Sequence, residues 1–347
     1  MRILVTGHKG YIGSVMVPML VAEGHEVSGM DSDLYQRCTF GKAPMEIPFI
    51  ARDIRDAEPS DFEGIDAVIH LAALSNDPLG DLDPNLTMDI NFRATIRVAE
   101  AARAAGVRRF LFSSSCSTYG AAGDNLIDET AAMNPVTPYG ESKVMAELEL
   151  MKLATASFSP TFLRSATAYG VSERLRFDLV LNNLVAWAHT TGKIFIKSDG
   201  TPWRPIVHIQ DISRAFIAAM NAPAELVHNR AFNVGRSEEN YRIREIAEIV
   251  STVVPNCNIT LAPDGGPDKR CYRVNCDLIR ETLPGFKPQW TVKLGAEELY
   301  KTCRDVGLKL DEFEGIRFKR IDHIKHLIAS GLLGTDLRWK QEEHAAA

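Results

Sequence analysis

The chain reads as an α/β protein, a doubly wound parallel sheet with a smaller C-terminal domain. Three observations predict this. Short apolar runs alternate with helical patterns through the first half. A glycine-rich turn joins the first apolar run to the first helix. The alternation loosens after about Ser165, where Pro and Gly become more frequent. Apolar strands that alternate with helices pair in parallel and are covered on both faces. Their crossovers are right-handed, which leaves a doubly wound topology.

Taken in order, residues 2–6 read as a strand, 10–24 as a helix and 26–30 as a second strand. Residues 67–70 give a further strand. A long helix over 85–105 stops at Gly106, and 109–113 is extended. Residues 138–157 are helical and 161–163 extended. Beyond Ser165, helices are expected over 174–189, 211–220 and 243–253, while 231–234 reads as one more buried strand of the main sheet. The segment 305–339 is amphipathic and charged, so helices are expected there too. On this reading the first domain spans 1–165 and takes back 207–236. The second is built from 166–206 and 237–347.

The 347 residues suffice for one large or two modest domains, each with its own core. Hydrophobic residues at 45% and charged residues at 24% are ordinary for a soluble globular protein. A net charge of −6 argues against a nucleic-acid or anionic-membrane surface. Basic residues that matter should therefore be local ones, set against a phosphate. The N-terminus enters the glycine turn after one short apolar run, without a signal-peptide core, and no window is apolar enough to span a bilayer. The six cysteines (Cys38, Cys116, Cys257, Cys271, Cys276, Cys303) form no Cys-x-x-Cys pair. Reduced thiols in a cytoplasmic protein are expected, and no metal is called for.

The clearest local signal is Gly7-His8-Lys9-Gly10-Tyr11-Ile12-Gly13, directly after the first strand and opening a helix. Gly7 allows the tight turn, Gly10 lets the backbone approach a pyrophosphate, and Gly13 lets helix and strand pack closely. The free N–H groups and positive dipole of the helix start then face the phosphates. An acid follows at the expected distance: Asp31, ending the second strand. Its carboxylate can accept hydrogen bonds from adenosine ribose hydroxyls and would repel a 2′-phosphate, so NAD is expected over NADP. Asp53-Ile54 can hold the adenine; a capping role for Asp53 is the alternative.

Tyr139-Gly140-Glu141-Ser142-Lys143 is the second signal. Residues four apart share a helix face, so the Lys143 ammonium can sit beside the Tyr139 phenol and lower its pKa from about 10. A tyrosinate so stabilised can take a proton from a hydroxyl while a hydride leaves its carbon. Such pairs also arise by chance. The third signal is Ser113-Ser114-Ser115-Cys116-Ser117-Thr118-Tyr119-Gly120, just after a predicted strand, where ligands bind in open α/β sheets. A serine there can hydrogen-bond a reacting oxygen, or the loop can simply cap backbone groups.

Together these motifs resemble the extended short-chain dehydrogenase/reductase family, in its NAD-dependent nucleotide-sugar epimerase/dehydratase group. The resemblance runs to about Thr302 and implies a Rossmann domain over 1–165 and a nucleotide-sugar-binding domain after it. Thr6, Gly7, Gly10 and Gly13 fall on the family's glycine turn, with Tyr11 and Ile12 inside it. Ser115 falls on the catalytic Ser/Thr, Tyr139 on the proton-transfer tyrosine and Lys143 on its partner; Ser113 lies at the cofactor. His70-Leu71-Ala72-Ala73 resembles the stretch that lines the cofactor, and Asn91 the family's asparagine on the long helix. The resemblance alone implies a homodimer, built from the long helix and the Tyr139 helix.

On the substrate side, Gly200-Thr201-Pro202-Trp203-Arg204-Pro205-Ile206-Val207-His208-Ile209-Gln210-Asp211 resembles the family's segment that contacts the nucleotide diphosphate. Arg204 falls on the contacting arginine, since a guanidinium forks onto phosphate oxygens. A surface ion pair is the alternative for Arg204, and an N-cap for Asp211. Asp268-Lys269-Arg270-Cys271-Tyr272 resembles a later segment and makes Arg270 a second phosphate ligand. Asn182 and Asn183 lie near a position that binds phosphates or sugar, or are helix-surface polarity. Ser115, Cys116 and Ser117 are placed against the sugar.

The family holds epimerases, dehydratases and reductases on one scaffold, so fold does not choose the reaction. Sugar 4,6-dehydratases of this group carry Asp-Glu after the catalytic Thr, where this chain has Cys116-Ser117. Enzymes of 3,5-epimerase type place a cysteine where this chain has Ser117, leaving Cys116 as a displaced proton shuttle or a small buried residue. The expectation is therefore epimerisation at carbon 4 through a transient keto-sugar with hydride return. A keto-sugar reductase, dehydratase or 3,5-epimerase is the alternative, and a non-catalytic NAD(H)-binding regulator the remote one.

Overall fold

The computed structural model describes residues 1–75, 83–262 and 271–340. Seven strands form the main sheet: β1 (Arg2–Thr6), β2 (Glu26–Asp31), β3 (Phe49–Ala51), β4 (Ala67–His70), β5 (Arg109–Ser115), and further along the chain Ser159–Ser165 and Arg230–Val234. Between β5 and those last two lies β6 (Ala121–Ile127), outside this sheet; Ser159–Ser165 is then β7, followed by β8 (Thr167–Tyr169), β9 (Lys193–Ile196), β10 (Trp203–His208) and β11 (Arg230–Val234). The main sheet runs β11-β7-β5-β4-β1-β2-β3 and is parallel throughout. The strand order reverses beside β1, so a crevice opens at the carboxyl ends of β1 and β4.

Alternation within the strands puts apolar side chains on both faces. Ile3, Val5, Ala67, Ile69 and Leu111 enter one core, and Leu4, Val68, Phe110 and Phe112 the other. Helices Gly13–Ala22 and Ile209–Asn221 cover the first face, and Ala94–Ala104 and Pro138–Leu153 the second. Smaller sheets build the rest: β12 (Asn240–Arg242) with β10 and β8, β13 (Asn258–Leu261) with β9, and β14 (Cys271–Val274) with β6. Among the described residues no helix is long and apolar enough to cross a membrane.

Several expected elements differ. The helix over 85–105 is broken: Pro84–Met88 and Ala94–Ala104 are α-helical, with a π-turn over Asp89–Arg93 between them. Asn91, inside that turn, holds the Leu74 backbone at both ends of its amide (2.7 and 3.0 Å), which the widened turn permits. The helix expected over 174–189 runs Val180–Thr191 instead. Arg174 and Arg176, drawn to loop carbonyls and carboxylates, keep the preceding residues irregular. The helix from Pro138 stops at Leu153, because Ala154 turns extended. The 305–339 segment contributes helices Leu310–Phe313 and Arg320–Ala329.

Candidate active site

Gly7 directly follows β1 with φ of +73°, and a Cβ there would lie 2.7 Å from the Ala72 nitrogen. A Cβ on Gly13 would lie 2.6 Å from the His8 Cα. Only glycine lets β1, the helix start and the residues after β4 meet so closely. Thr6 Oγ1 completes the junction, bonding His70 Nδ1 at 2.8 Å and accepting from the Ala72 N–H at 3.4 Å. His70 is buried, and burial pushes its pKa down to about 3, so it serves as a neutral strut to Thr6 and Thr95.

These elements wall a cleft of about 820 Å³. Gly7, Gly10, Tyr11, Ile12, Gly13, Asp31, Asp53, Ile54, Leu71, Ala72 and Ala73 line one end. The Asp31 carboxylate accepts from the N–H groups of Lys9 (2.9 Å) and Asp33 (2.8 Å). Burial pushes its pKa up to about 6, against those two bonds. Asp53 both lines the cleft and caps a short turn, accepting from the Arg55 N–H at 2.9 Å. The capping role is thus seen directly, and Asp53 also faces the cleft.

The middle of the cleft is lined by Ser113, Ser115, Ser117, Tyr139 and Lys143. Ser115 ends β5, and its Oγ accepts from the Ser117 N–H (3.1 Å) and hydroxyl (2.9 Å). The helix bearing Tyr139 is capped by Thr137, whose hydroxyl accepts from the Gly140 N–H at 3.1 Å. Lys143 donates to the Ser113 carbonyl at 2.7 Å, with its nitrogen 5.8 Å from the Tyr139 ring centre. Burial pushes the Lys143 pKa down to about 7, with Glu147 pulling the other way. At the far end Asn183 and Arg204 line the cleft with Phe195, Lys197 and Tyr272. Arg204 is buried in β10 rather than at the surface, and it donates to the Trp203 carbonyl at 2.9 Å.

Three expected residues among those described are not brought to the cleft. Asn91 is buried behind it, bonded to Leu74 and to Ser142 Oγ (3.2 Å), so it positions the Tyr139 helix. Cys116 is turned into the interior; its thiol donates to the Arg164 carbonyl at 3.1 Å, and burial pushes its pKa far up. Asn182 is also buried, holding the Gly170 N–H and donating to the Tyr11 hydroxyl and the Arg176 carbonyl. Arg270 lies outside the described residues. Asp211 is not the N-cap of its helix; His208 is, while Asp211 accepts from the N–H groups of Gln289 and Trp290. Among the described residues no cluster of three or more His, Cys, Asp or Glu could hold a metal.

The cleft also contains residues that sequence reading missed, among them Tyr35, Ser165, Arg176, Arg320 and Leu337. Ser165 was within reach, since β7 pairs with β5 so that Ser165 sits beside Ser115. Arg320 and Leu337 arrive from the far end of the chain, and no local pattern announces them.

The model of the "NAD dependent epimerase/dehydratase family" matches residues 3–235. The chain belongs to that family. The UDP-glucose 4-epimerase of Mycolicibacterium smegmatis is 31% identical over 316 residues, 87% of this chain and 97% of that protein. A solved structure of MoeE5 in complex with UDP-glucuronic acid and NAD is 26% identical, with a TM-score of 0.75 over 88% of this chain and 99% of that one. The fold of the Thermotoga maritima UDP-glucose 4-epimerase matches with a TM-score of 0.77 at 24% identity, over 89% of this chain and 100% of that one.

NAD is the cofactor of this family member, and the chain's own atoms fit it. The glycine turn leaves open backbone where a Cβ would intrude, and two buried polar atoms at the cleft, Ser165 Oγ and Arg320 Nε, have no hydrogen-bond partner. Gly10–Gly13 would hold the pyrophosphate and Asp31 the adenosine ribose.

Proposed function

We propose that this protein is a nucleotide-sugar 4-epimerase working through a transient 4-keto sugar, with UDP-glucose as the first substrate to try. The near full-length similarity to the Mycolicibacterium smegmatis 4-epimerase supports it. The observation that carries it is that, among the described residues, no free carboxylic acid stands beside Ser115. Among the described residues, the carboxylates lining the cleft are Asp31, Asp53 and Asp178. The first two stand at the ribose end, and Asp178 is held by Arg176 at 2.6 Å. Elimination of water needs an acid and a base at neighbouring carbons, and among the described residues no carboxylate stands there to add to Tyr139.

The residues then divide the work. Arg204 and Asn183 hold the nucleotide diphosphate and sugar. Ser115 hydrogen-bonds the oxygen on carbon 4, and Tyr139 takes its proton, then gives it back. Lys143 favours the tyrosinate and keeps its helix in place. Bound NAD supplies removal and return of a hydride. Two further expectations belong to this reading. Met145 and Leu148 remain 41% and 47% exposed one turn apart on the Tyr139 helix, which suits a homodimer through that face. The six unpaired cysteines suit the cytoplasm.

The test is isotopic. UDP-glucose carrying deuterium on carbon 4 is incubated with the protein and read by NMR. The label should remain on carbon 4 of the epimer, and solvent deuterium should stay out of every ring carbon. A product lighter by one water indicates a dehydratase, stoichiometric NADH consumption a reductase, and solvent label beside the keto carbon a 3,5-epimerase. Any of these overturns the proposal, as does NAD binding without turnover across a panel of nucleotide sugars.

A further inference from the structure

The last described residues return to the ribose end of the cleft. Ile324, Leu327, Leu333 and Leu337 join the core of the second sheet face. The Trp339 indole donates to the Ser32 carbonyl at 2.6 Å, next to Asp31. Arg338 forms a two-pronged ion pair with Asp56, just past Asp53. Leu337 and Arg320 themselves line the cleft.

Arg320 is the odd residue in this wall. It is only 8% exposed. Its guanidinium lies 4.0 Å over the Tyr35 ring and donates to the Arg174 carbonyl at 2.9 Å, yet its Nε has no partner. The other cations nearby are neutralised: Arg176 by Asp178, Arg174 and Lys9 by Asp33, Arg52 by Asp61. Among the described residues no carboxylate forms an ion pair with Arg320. A buried charge without a counter-ion is costly. An arginine fork matches phosphate oxygens, and the pyrophosphate is the anionic part of NAD.

We propose that Arg320 is a ligand of the dinucleotide's pyrophosphate, and that the 320–339 segment closes the ribose end of the cleft and holds NAD as a slowly exchanging resident. The inference rests on the reading that the dinucleotide lies along Gly7–Gly13 and Asp31. It assigns the C-terminal segment a binding task, with Arg338 and Trp339 as the latch.

The experiment uses purified holoprotein. Release of bound NAD is timed after rapid desalting, and displacement by ADP-ribose and by adenosine is titrated. For Arg320→Met, release should be at least tenfold faster and ADP-ribose should bind roughly ten- to a hundredfold more weakly. Adenosine, which has no phosphate, should bind as before, and Arg320→Lys should recover part of the loss. Arg338→Ala with Trp339→Phe, which changes no cleft-lining side chain, should also speed release. Equal losses for ADP-ribose and adenosine would reduce Arg320 to packing and overturn the assignment. Unchanged release in the Arg338/Trp339 variant would overturn the closure. UDP serves as the probe for the other nucleotide: it should bind Arg320→Met normally and Arg204→Ala weakly, and the reverse would place Arg320 at the substrate. A Gly10→Val control separates the two levels. If it loses NAD while Arg320→Met does not, only this inference fails; if neither loses NAD, the cofactor-site reading fails with it.

Discussion

The Lys143 ammonium donates a 2.7 Å hydrogen bond to the Ser113 carbonyl, tying the helix that carries Tyr139 to the end of the strand that carries Ser115. One side chain thus fixes the spacing of the other two. Tyr139→Phe should lower turnover by roughly two to four orders of magnitude, the range for a positioned acid/base, with NAD binding kept. Lys143→Met should lower turnover and also weaken NAD retention, since it removes both the charge and the tie. Steady-state kinetics with NAD content measured on the same samples checks both. Near-normal turnover in Tyr139→Phe would remove the proposed proton transfer.

Asp31 predicts a pH dependence. Burial raises its pKa to about 6, above the unfolded value of about 3.9. In the cofactor-free protein this group therefore adds stability as pH falls from about 6 towards 4, because the native state binds the proton more tightly. Bound NAD needs the carboxylate as an acceptor. The rise in thermal midpoint on adding NAD should shrink as pH falls through about 6, and Asp31→Asn should flatten that trend. The same carboxylate should leave NADP binding weaker than NAD. A midpoint shift that is constant from pH 5 to 8, or tighter NADP binding, would remove Asp31 from the ribose.

The half of the site that is readable in the sequence is the half built from neighbours along the chain. Gly7–Gly13, the Tyr139/Lys143 pair and Ser115 each sit within one turn or one strand end, so local spacing reports their geometry. Asn91, Cys116 and Asn182 were named for their place in a motif, but a motif does not say which way a side chain faces. A π-turn rotates Asn91 onto Leu74, and the end of β5 turns Cys116 towards Arg164. Arg320 and Leu337 were out of reach for another reason: their approach depends on how the C-terminal helix packs on the second core. The sheet itself followed from apolar alternation, whereas β6, largely exposed and with Gly123-Asp124-Asn125 at its centre, carries no such signal.

Cys116 gives a sharp negative expectation. Its thiol is buried and faces the Arg164 carbonyl, and burial holds its pKa well above the ordinary thiol range. A thiolate there would be disfavoured, and it would not face the sugar. Cys116→Ala should leave turnover within a few-fold of wild type and cost roughly 1 kcal/mol of stability from lost packing and the lost thiol contact. A drop of a hundredfold or more, with the fold intact, would return Cys116 to the chemistry and favour an enolate route.

Glu147 and Arg164 form a pair that should matter for stability before chemistry. Glu147 lies two turns beyond Tyr139 on the same helix, and Arg164 lies on β7. They meet at 2.7 Å with both side chains nearly sealed from water. Burial opposes the Arg164 charge, but the Glu147 hydrogen bonds outweigh it and hold its pKa above the ordinary guanidinium value. Ser114 also donates to Glu147, and Arg164 donates to the Tyr119 hydroxyl at 2.9 Å, so the pair anchors a wider buried network. Removing one member strands the other charge. Arg164→Met should therefore cost about 3–5 kcal/mol, and Glu147→Leu a similar amount. The double variant should cost clearly less than the sum, because no lone charge is left inside. Urea denaturation at saturating NAD measures all three. Since the network backs the strand end at Ser115 and the helix of Tyr139, the single variants should also lose turnover, and the double variant should regain part of it. Additive losses in the double variant would mean that the two charges are not coupled, and that the helix is held in place by its apolar face alone.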